Sequence, residues 1–120
     1  MAINFKDAVG LHADALELRS QRTRILASNI ANENTPGYAA QDLDFKASLA
    51  RVAAEAAGEP VLDGDGEALF RVPYHPTGDG NTVEIGVEQA AFSQNATDFQ
   101  TSLTFINMKL RGLAKAINGQ

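Results

Sequence analysis

Eight apolar residues near the C-terminus repeat in a four-three rhythm: Phe92, Ala96, Phe99, Leu103, Ile106, Leu110, Leu113 and Ile117. Of the eighteen other residues in that span, only Phe105, Met108, Ala114 and Ala116 are apolar. This spacing predicts a helix carrying a seam for a second helix. At 1.5 Å per residue the striped span is about 39 Å long, more than one compact domain of this size needs. A second line, Phe105, Met108, Gly112 and Ala116, falls roughly 145° from the seam at 100° per residue. The last turns are therefore expected to meet two neighbours. Gly112 supports this, because mid-helix glycine costs about 1 kcal/mol relative to alanine and close backbone approach is a reason to keep one.

At the other end, helical periodicity runs from about Phe5 to Asn32. Phe5, Ala8, Val9, Ala15, Leu16, Leu26 and Ile30 share one side, and Leu11, Leu18 and Ile25 widen it. The apolar sector reaches roughly 200°, which one neighbour does not cover. Polar stretches around His12 and Arg19, and around Arg22 and Asn29, rule out a simple zipper. Asn32-Glu33-Asn34-Thr35-Pro36-Gly37-Tyr38 follows. Pro36 fixes φ and Gly37 accepts positive φ, so Thr35 to Tyr38 suits a type II turn that ends the helix.

A shorter helix is expected to start near Asp42 or Asp44, either of which can cap it. Phe45, Leu49, Val52 and Ala56 supply its apolar line, and Gly58-Glu59-Pro60 ends it. From Val61 to Thr82 the chain is rich in turn residues around one predicted strand, Leu69 to Val72. Val83, Ile85 and Val87 alternate with Glu84 and Gly86, and are expected to form the partner strand of a small β-hairpin. The chain thus reads as mainly α, one structural unit in four stretches: 1–38, 39–58, 59–87 and 88–120.

Charge and composition narrow the function. The 120 residues carry a net charge of −5, spread as zero over 1–38, −7 over 39–90 and +2 over 91–120. An acidic middle between nearly neutral ends argues against nucleic acid as a partner. No apolar run is long enough to span a membrane, so no direct membrane insertion is expected. The opening residues lack a basic start and a following apolar block, which argues against a cleaved secretory signal. There are no cysteines, hence no disulfides or thiolate metal sites.

Chemistry-bearing motifs are weak. Asp63-Gly64-Asp65-Gly66-Glu67 has an acidic-turn look, but a calcium loop needs Gly and Glu where Ala68 and Tyr74 stand. Gly78-Asp79-Gly80 lacks the third glycine of a dinucleotide loop, since Val83 stands there. His12 is expected to be packed on the apolar side of its helix, and His75 to lie in a surface loop. No nucleophile elbow or HExxH pair occurs. Asn95-Ala96-Thr97 is a formal glycosylation sequon inside a predicted helix. The expectation is no enzyme, no metal and no cofactor.

Ala27-Ser28-Asn29-Ile30-Ala31-Asn32-Glu33-Asn34-Thr35-Pro36-Gly37-Tyr38 closely resembles the signature of the bacterial flagellar basal-body rod and hook proteins, whose N-terminal helix ends in an Ala-Asn-x-x-Thr-Pro-Gly-Tyr turn. The short length and two further blocks resemble the proximal rod members. One block is Asp42-Leu43-Asp44-Phe45. The other runs from Gly80-Asn81-Thr82-Val83 through Glu88 and Asn95 to Ser102-Leu103-Thr104-Phe105 and Arg111-Gly112-Leu113. Two departures are mild: Ala39 replaces a common lysine, and Phe99 a common tyrosine.

The resemblance implies pairing of the end helices as a coiled coil and assembly into a helical rod in the basal body, on the periplasmic side. It implies export by the flagellar type III apparatus without a cleaved signal. The implied partners are copies of the chain, other rod proteins, a rod adaptor protein (FliE) and the membrane ring. The implied turn motif is Asn29, Asn32, Asn34, Thr35, Pro36, Gly37 and Tyr38. The assembly interface is expected to pair Val9, Leu16, Leu26 and Ile30 with the seam from Phe92 to Ile117. End helices with apolar sectors this wide are expected to order on association. The alternative is an export chaperone or adaptor that uses the same helices to hold one partner.

Overall fold

The computed structural model describes residues 5–58 and 68–119. The first helix, α1, covers Phe5–Ala31, and the strand β1 covers Gln41–Leu43. Helix α2 covers Phe45–Ala56, strand β2 Ala68–Phe70, and helix α3 Ile85–Ile117. The protein is mainly helical, with long terminal helices packed together and one small antiparallel sheet. It is elongated. Its radius of gyration is 18.2 Å and its extents are 64 × 32 × 18 Å, whereas a compact chain of this length has a radius near ~14 Å.

Local sequence explains most of the elements. Asp44 caps α2, its Oδ1 accepting from the Ala47 N–H at 3.1 Å. The predicted type II turn forms: Gly37 has φ +74° and the Tyr38 N–H donates to the Thr35 carbonyl at 3.2 Å. α1 ends as expected, with the Asn32 side chain donating to the Ser28 carbonyl at 2.8 Å.

The hairpin is corrected. Ile85 and Val87 are the first turn of α3, and the partner of β2 is β1, with Gln41 opposite Phe70 and Leu43 opposite Ala68. Alternation over 83–87 yields to the helix because Asn81 folds back to accept from the Val83 N–H at 2.8 Å. The helical turn from Ile85 then places Glu88 inside, where its partners wait. The Asp63–Glu67 stretch lies outside the described residues.

The core is small. Ala15, Leu18 and Leu26 of α1 are buried, with Ala40, Leu43 and Ile106. As the wide sector of α1 required, that helix packs against α3 on one side and α2 and β1 on another. Arg19 ties α1 to α2, its guanidinium 3.9 Å from the Phe45 ring centroid.

Candidate assembly surface and its polar lock

α1 and α3 run antiparallel, and their first contacts near the turn are polar. Glu88 and Asn29 are both 0% exposed. Asn29 Nδ2 donates to Glu88 Oε2 at 2.9 Å and to the Gln41 carbonyl at 2.6 Å. Its Oδ1 accepts from the Gln41 N–H at 3.1 Å and from the Tyr38 hydroxyl at 3.4 Å. Both donors and both acceptor positions of this amide are used. Asn29 thus joins α1 to α3 and to the strand that follows the turn.

Four charges extend the network. Arg22 grips Asp42 with two bonds, Nε to Oδ1 at 2.9 Å and Nη2 to Oδ2 at 3.1 Å. Arg71 donates to Asp42 Oδ2 at 2.7 Å and, through its other nitrogen, to Glu88 Oε1. Two arginines and two carboxylates alternate, so the cluster is neutral and spans α1, β1, the chain after β2, and α3. Burial pushes the Asp42 carboxyl up, but hydrogen bonds from Arg22 and Arg71 outweigh it and hold the group below its ordinary value of 3.8. The bond to Asp42 raises the Arg22 guanidinium above its ordinary value.

Further along, Asn95 Nδ2 donates to the Arg19 carbonyl at 3.0 Å and to Thr23 Oγ1 at 2.8 Å. Arg19 also pairs with Asp98 at 3.3 Å. Asn95 is buried, so its sequon lies against α1.

The turn itself is clamped from the far side of the sequence. Asn81 Nδ2 lies 2.9, 2.9 and 2.7 Å from the carbonyls of Asn32, Glu33 and Thr35, sharing its two hydrogens among them. The Gly37 N–H donates to the Asp79 carbonyl at 3.0 Å, and the Thr82 N–H to the Tyr38 carbonyl at 2.9 Å. Gly80, at φ +79°, sits where an added Cβ would touch the Gly37 Cα at 3.5 Å. The two glycines let the two loops meet.

The striped residues of α3 divide into two lines. Phe99 and Leu113 are half-buried and Ile106 is buried, while Phe92 is just exposed. On the adjacent line Leu103 is half-buried, whereas Ala96, Leu110 and Ile117 are exposed. On the opposite flank Glu88 and Asn95 are buried and Ser102 half-buried. The face packed on α1 is thus turned about 40° from the striped seam toward a polar line, at 100° per residue. On α1, Leu26 is buried and Val9, Leu16 and Ile30 are half-buried, with Leu18 and Ala15 more deeply placed. The second line is solvent-facing: Phe105, Met108, Gly112 and Ala116 are exposed. Periodicity missed Asp42, Arg71, Glu88 and Asn95. The available signal was the seven-residue spacing of Glu88, Asn95 and Ser102, which places polar groups on one inward line.

His12 is half-buried and His75 exposed. Among the described residues no group of three or more His, Asp or Glu is arranged to hold a metal ion, and no helix is long and apolar enough to cross a membrane.

Known proteins share this arrangement of sequence. A model of the family described as Flagella basal body rod protein matches residues 11–38, the stretch of α1 and the turn that holds Arg22, Asn29 and Gly37. The chain is 46% identical over 127 residues to the flagellar basal body rod protein FlgB of Cereibacter sphaeroides, covering 97% of this chain and 98% of that protein. The chain belongs to the flagellar basal body rod protein family. FlgB of Aeromonas hydrophila is 41% identical over 131 residues, covering 100% of this chain and 99% of that protein. FlgB of Salmonella typhimurium is 35% identical over 133 residues, covering 93% and 94%. In this rod protein the family turn is therefore the element that the polar lock and Asn81 hold from both sides.

Proposed function

We propose that this protein is a structural subunit of the proximal rod of the flagellar basal body. It polymerises through its terminal helices into a shaft that transmits torque, and it performs no chemistry. One observation supports this most directly. α3 is a 33-residue helix, about 50 Å long, whose C-terminal half keeps large apolar residues in solvent: Phe105, Met108, Leu110 and Ile117. Large apolar residues exposed on two faces of one helix mark two interaction surfaces. The packed half of the seam holds α1, and the open half is left for neighbours.

On this reading the neighbours are copies of the chain and other rod proteins, with the rod adaptor FliE and the membrane ring at the base. The subunit reaches the periplasmic rod through the flagellar type III apparatus, without a cleaved signal peptide. The relatives above are rod proteins by name, so the export-chaperone alternative is not favoured.

Truncating Leu103 or Ile106 to alanine tests the reading. Removing a buried aliphatic side chain costs about 2–5 kcal/mol, with Leu103 at the lower end because it is half-buried. Basal bodies should then lack a complete rod and cells should lose motility. Normal motility in the Ile106→Ala strain contradicts the proposal.

A further inference from the structure

A strip beside β2 is apolar and bare. From Phe70 to Tyr74 the chain alternates, with Arg71 and Pro73 turned inward and Phe70, Val72 and Tyr74 69%, 84% and 78% exposed. The ion pairs of Arg71 with Asp42 and Glu88 anchor this strip at the start of α3. On the outer face of α3 lies a depression of about 190 Å³ lined by Gln100, Thr101, Thr104, Phe105 and Met108. It has room for an aromatic side chain.

Charge links the two patches. Among the described residues, 68 to 84 contain two carboxylates, Asp79 and Glu84, and one arginine, Arg71, which is engaged in the lock. Residues 99 to 120 contain Lys109, Arg111 and Lys115 and no acid, and all three cations are exposed. Opposite fields bring such surfaces together and set which patch meets which. Within one chain they cannot meet. The strip is fixed beside Glu88, and Phe105 lies seventeen residues, about 26 Å, further along a rigid helix.

We infer that the Phe70–Val72–Tyr74 strip of one subunit docks on the Phe105–Met108 depression of a second copy of this chain, displaced lengthwise by about 26 Å. The two patches are unlike, so the contact is head-to-tail, and the lengthwise offset keeps two copies from closing on each other. This inference rests on the rod reading and specifies one of its contacts.

The chain has no cysteine, so single thiols report the contact cleanly. Phe70→Cys and Met108→Cys are produced together, as separate copies, in source cells lacking the native gene, and basal bodies are isolated after mild oxidation. Ser93→Cys, exposed on the same helix, replaces Met108→Cys in the control pair. Disulfide dimer at ten-fold or more over the control is expected. Both variants present in basal bodies without that dimer, or with equal dimer in the control, overturns the inference and leaves the rod reading standing. If Phe70→Cys is not incorporated, Val72→Cys on the same outward line takes its place, with the same outcomes. Absence of the native chain from basal bodies removes the rod reading and this contact with it.

Discussion

Near the turn, α3 meets α1 through Glu88 and Asn95, whereas about 33 Å further along it presents Leu110 and Ile117 to solvent. The first region is polar, neutral and closed on itself; the second is apolar and open. Their contributions differ in kind. A buried ion-pair network adds little net stability but has one arrangement in which every charge is paired, so it sets register. Apolar burial adds about 25 cal/mol per Å² and is indifferent to direction. The lock fixes where the helices sit and how the chain leaves the turn. On the proposed rod reading, the open edge supplies the free energy of association. A subunit built this way should hold its shape at one end and gain order at the other only on assembly. Hydrogen exchange on the free chain should therefore show protection near residues 22–30 and 85–98 that decays along α3 beyond Leu103.

Removing the centre of the lock should have the largest effect. Glu88→Ala removes one partner of Arg71 and one of the Asn29 amide, and breaking a buried pair costs about 3–5 kcal/mol. At 1.4 kcal/mol per decade, protection of the slowest α1 amides should fall on the order of a hundred- to several thousand-fold. Unchanged exchange would mean that apolar contacts alone hold the pair together, and the contrast between the two regions would collapse.

Two truncations on α3 then separate the regions. Ile106→Ala should destabilise the free chain by about 2–4 kcal/mol, because Ile106 is buried within the single chain. Leu110→Ala should leave the free chain within about 0.5 kcal/mol of the native value yet reduce assembly, read by sedimentation of rod particles. Equal loss of monomer stability in both variants would place Leu110 in the intramolecular core instead.

Much of this was legible in the chain. Periodicity located all three helices, Asp44 was one of two capping candidates, and Pro36-Gly37 gave the turn, because each signal is local. The pairing of β2 with β1 was not, since Gln41 and Phe70 are distant in sequence and are held together by Arg71, whose N–H donates to the Ala40 carbonyl and whose guanidinium pairs with Asp42, rather than by a tight turn. The rotation of the α3 seam was hidden for a related reason. A stripe of Phe, Leu and Ile outweighs Glu88, Asn95 and Ser102 in any hydrophobic count. Glu88 and Asn95 become core only when Arg71, Asn29 and Thr23 arrive from elsewhere in the chain. On the proposed rod reading, the exposure of Leu110 and Ile117 has its reason in the assembly rather than in the single chain.

Acid offers a graded way to loosen the lock alone. The Asp42 carboxyl is held below 3.8 in the fold, so its contribution is complete above 3.8 and fades as pH falls through the lower native value. Asp42→Asn should cost roughly 1.5–3 kcal/mol at neutral pH, typical of hydrogen bonds to a charged group. The gap in urea midpoint between native and variant chains should hold steady down to about pH 4 and narrow below it. A gap independent of pH down to pH 2 would show that the carboxylate charge contributes nothing to the lock.

The smallest expected effect tests the open region with a single methyl group. Gly112 lies mid-helix, and an added Cβ there meets nothing within 4 Å in the single chain. Gly112→Ala should therefore stabilise the free chain by about 1 kcal/mol through helix propensity. If a neighbouring subunit approaches that backbone closely, the same methyl should weaken assembly, so that monomer stability and rod formation move in opposite directions. Gly112→Leu should exaggerate the split, impairing assembly without unfolding the helix. Should both variants assemble as well as the native chain, Gly112 is no contact point, and the interface along α3 narrows to the lines of Leu110 and Met108.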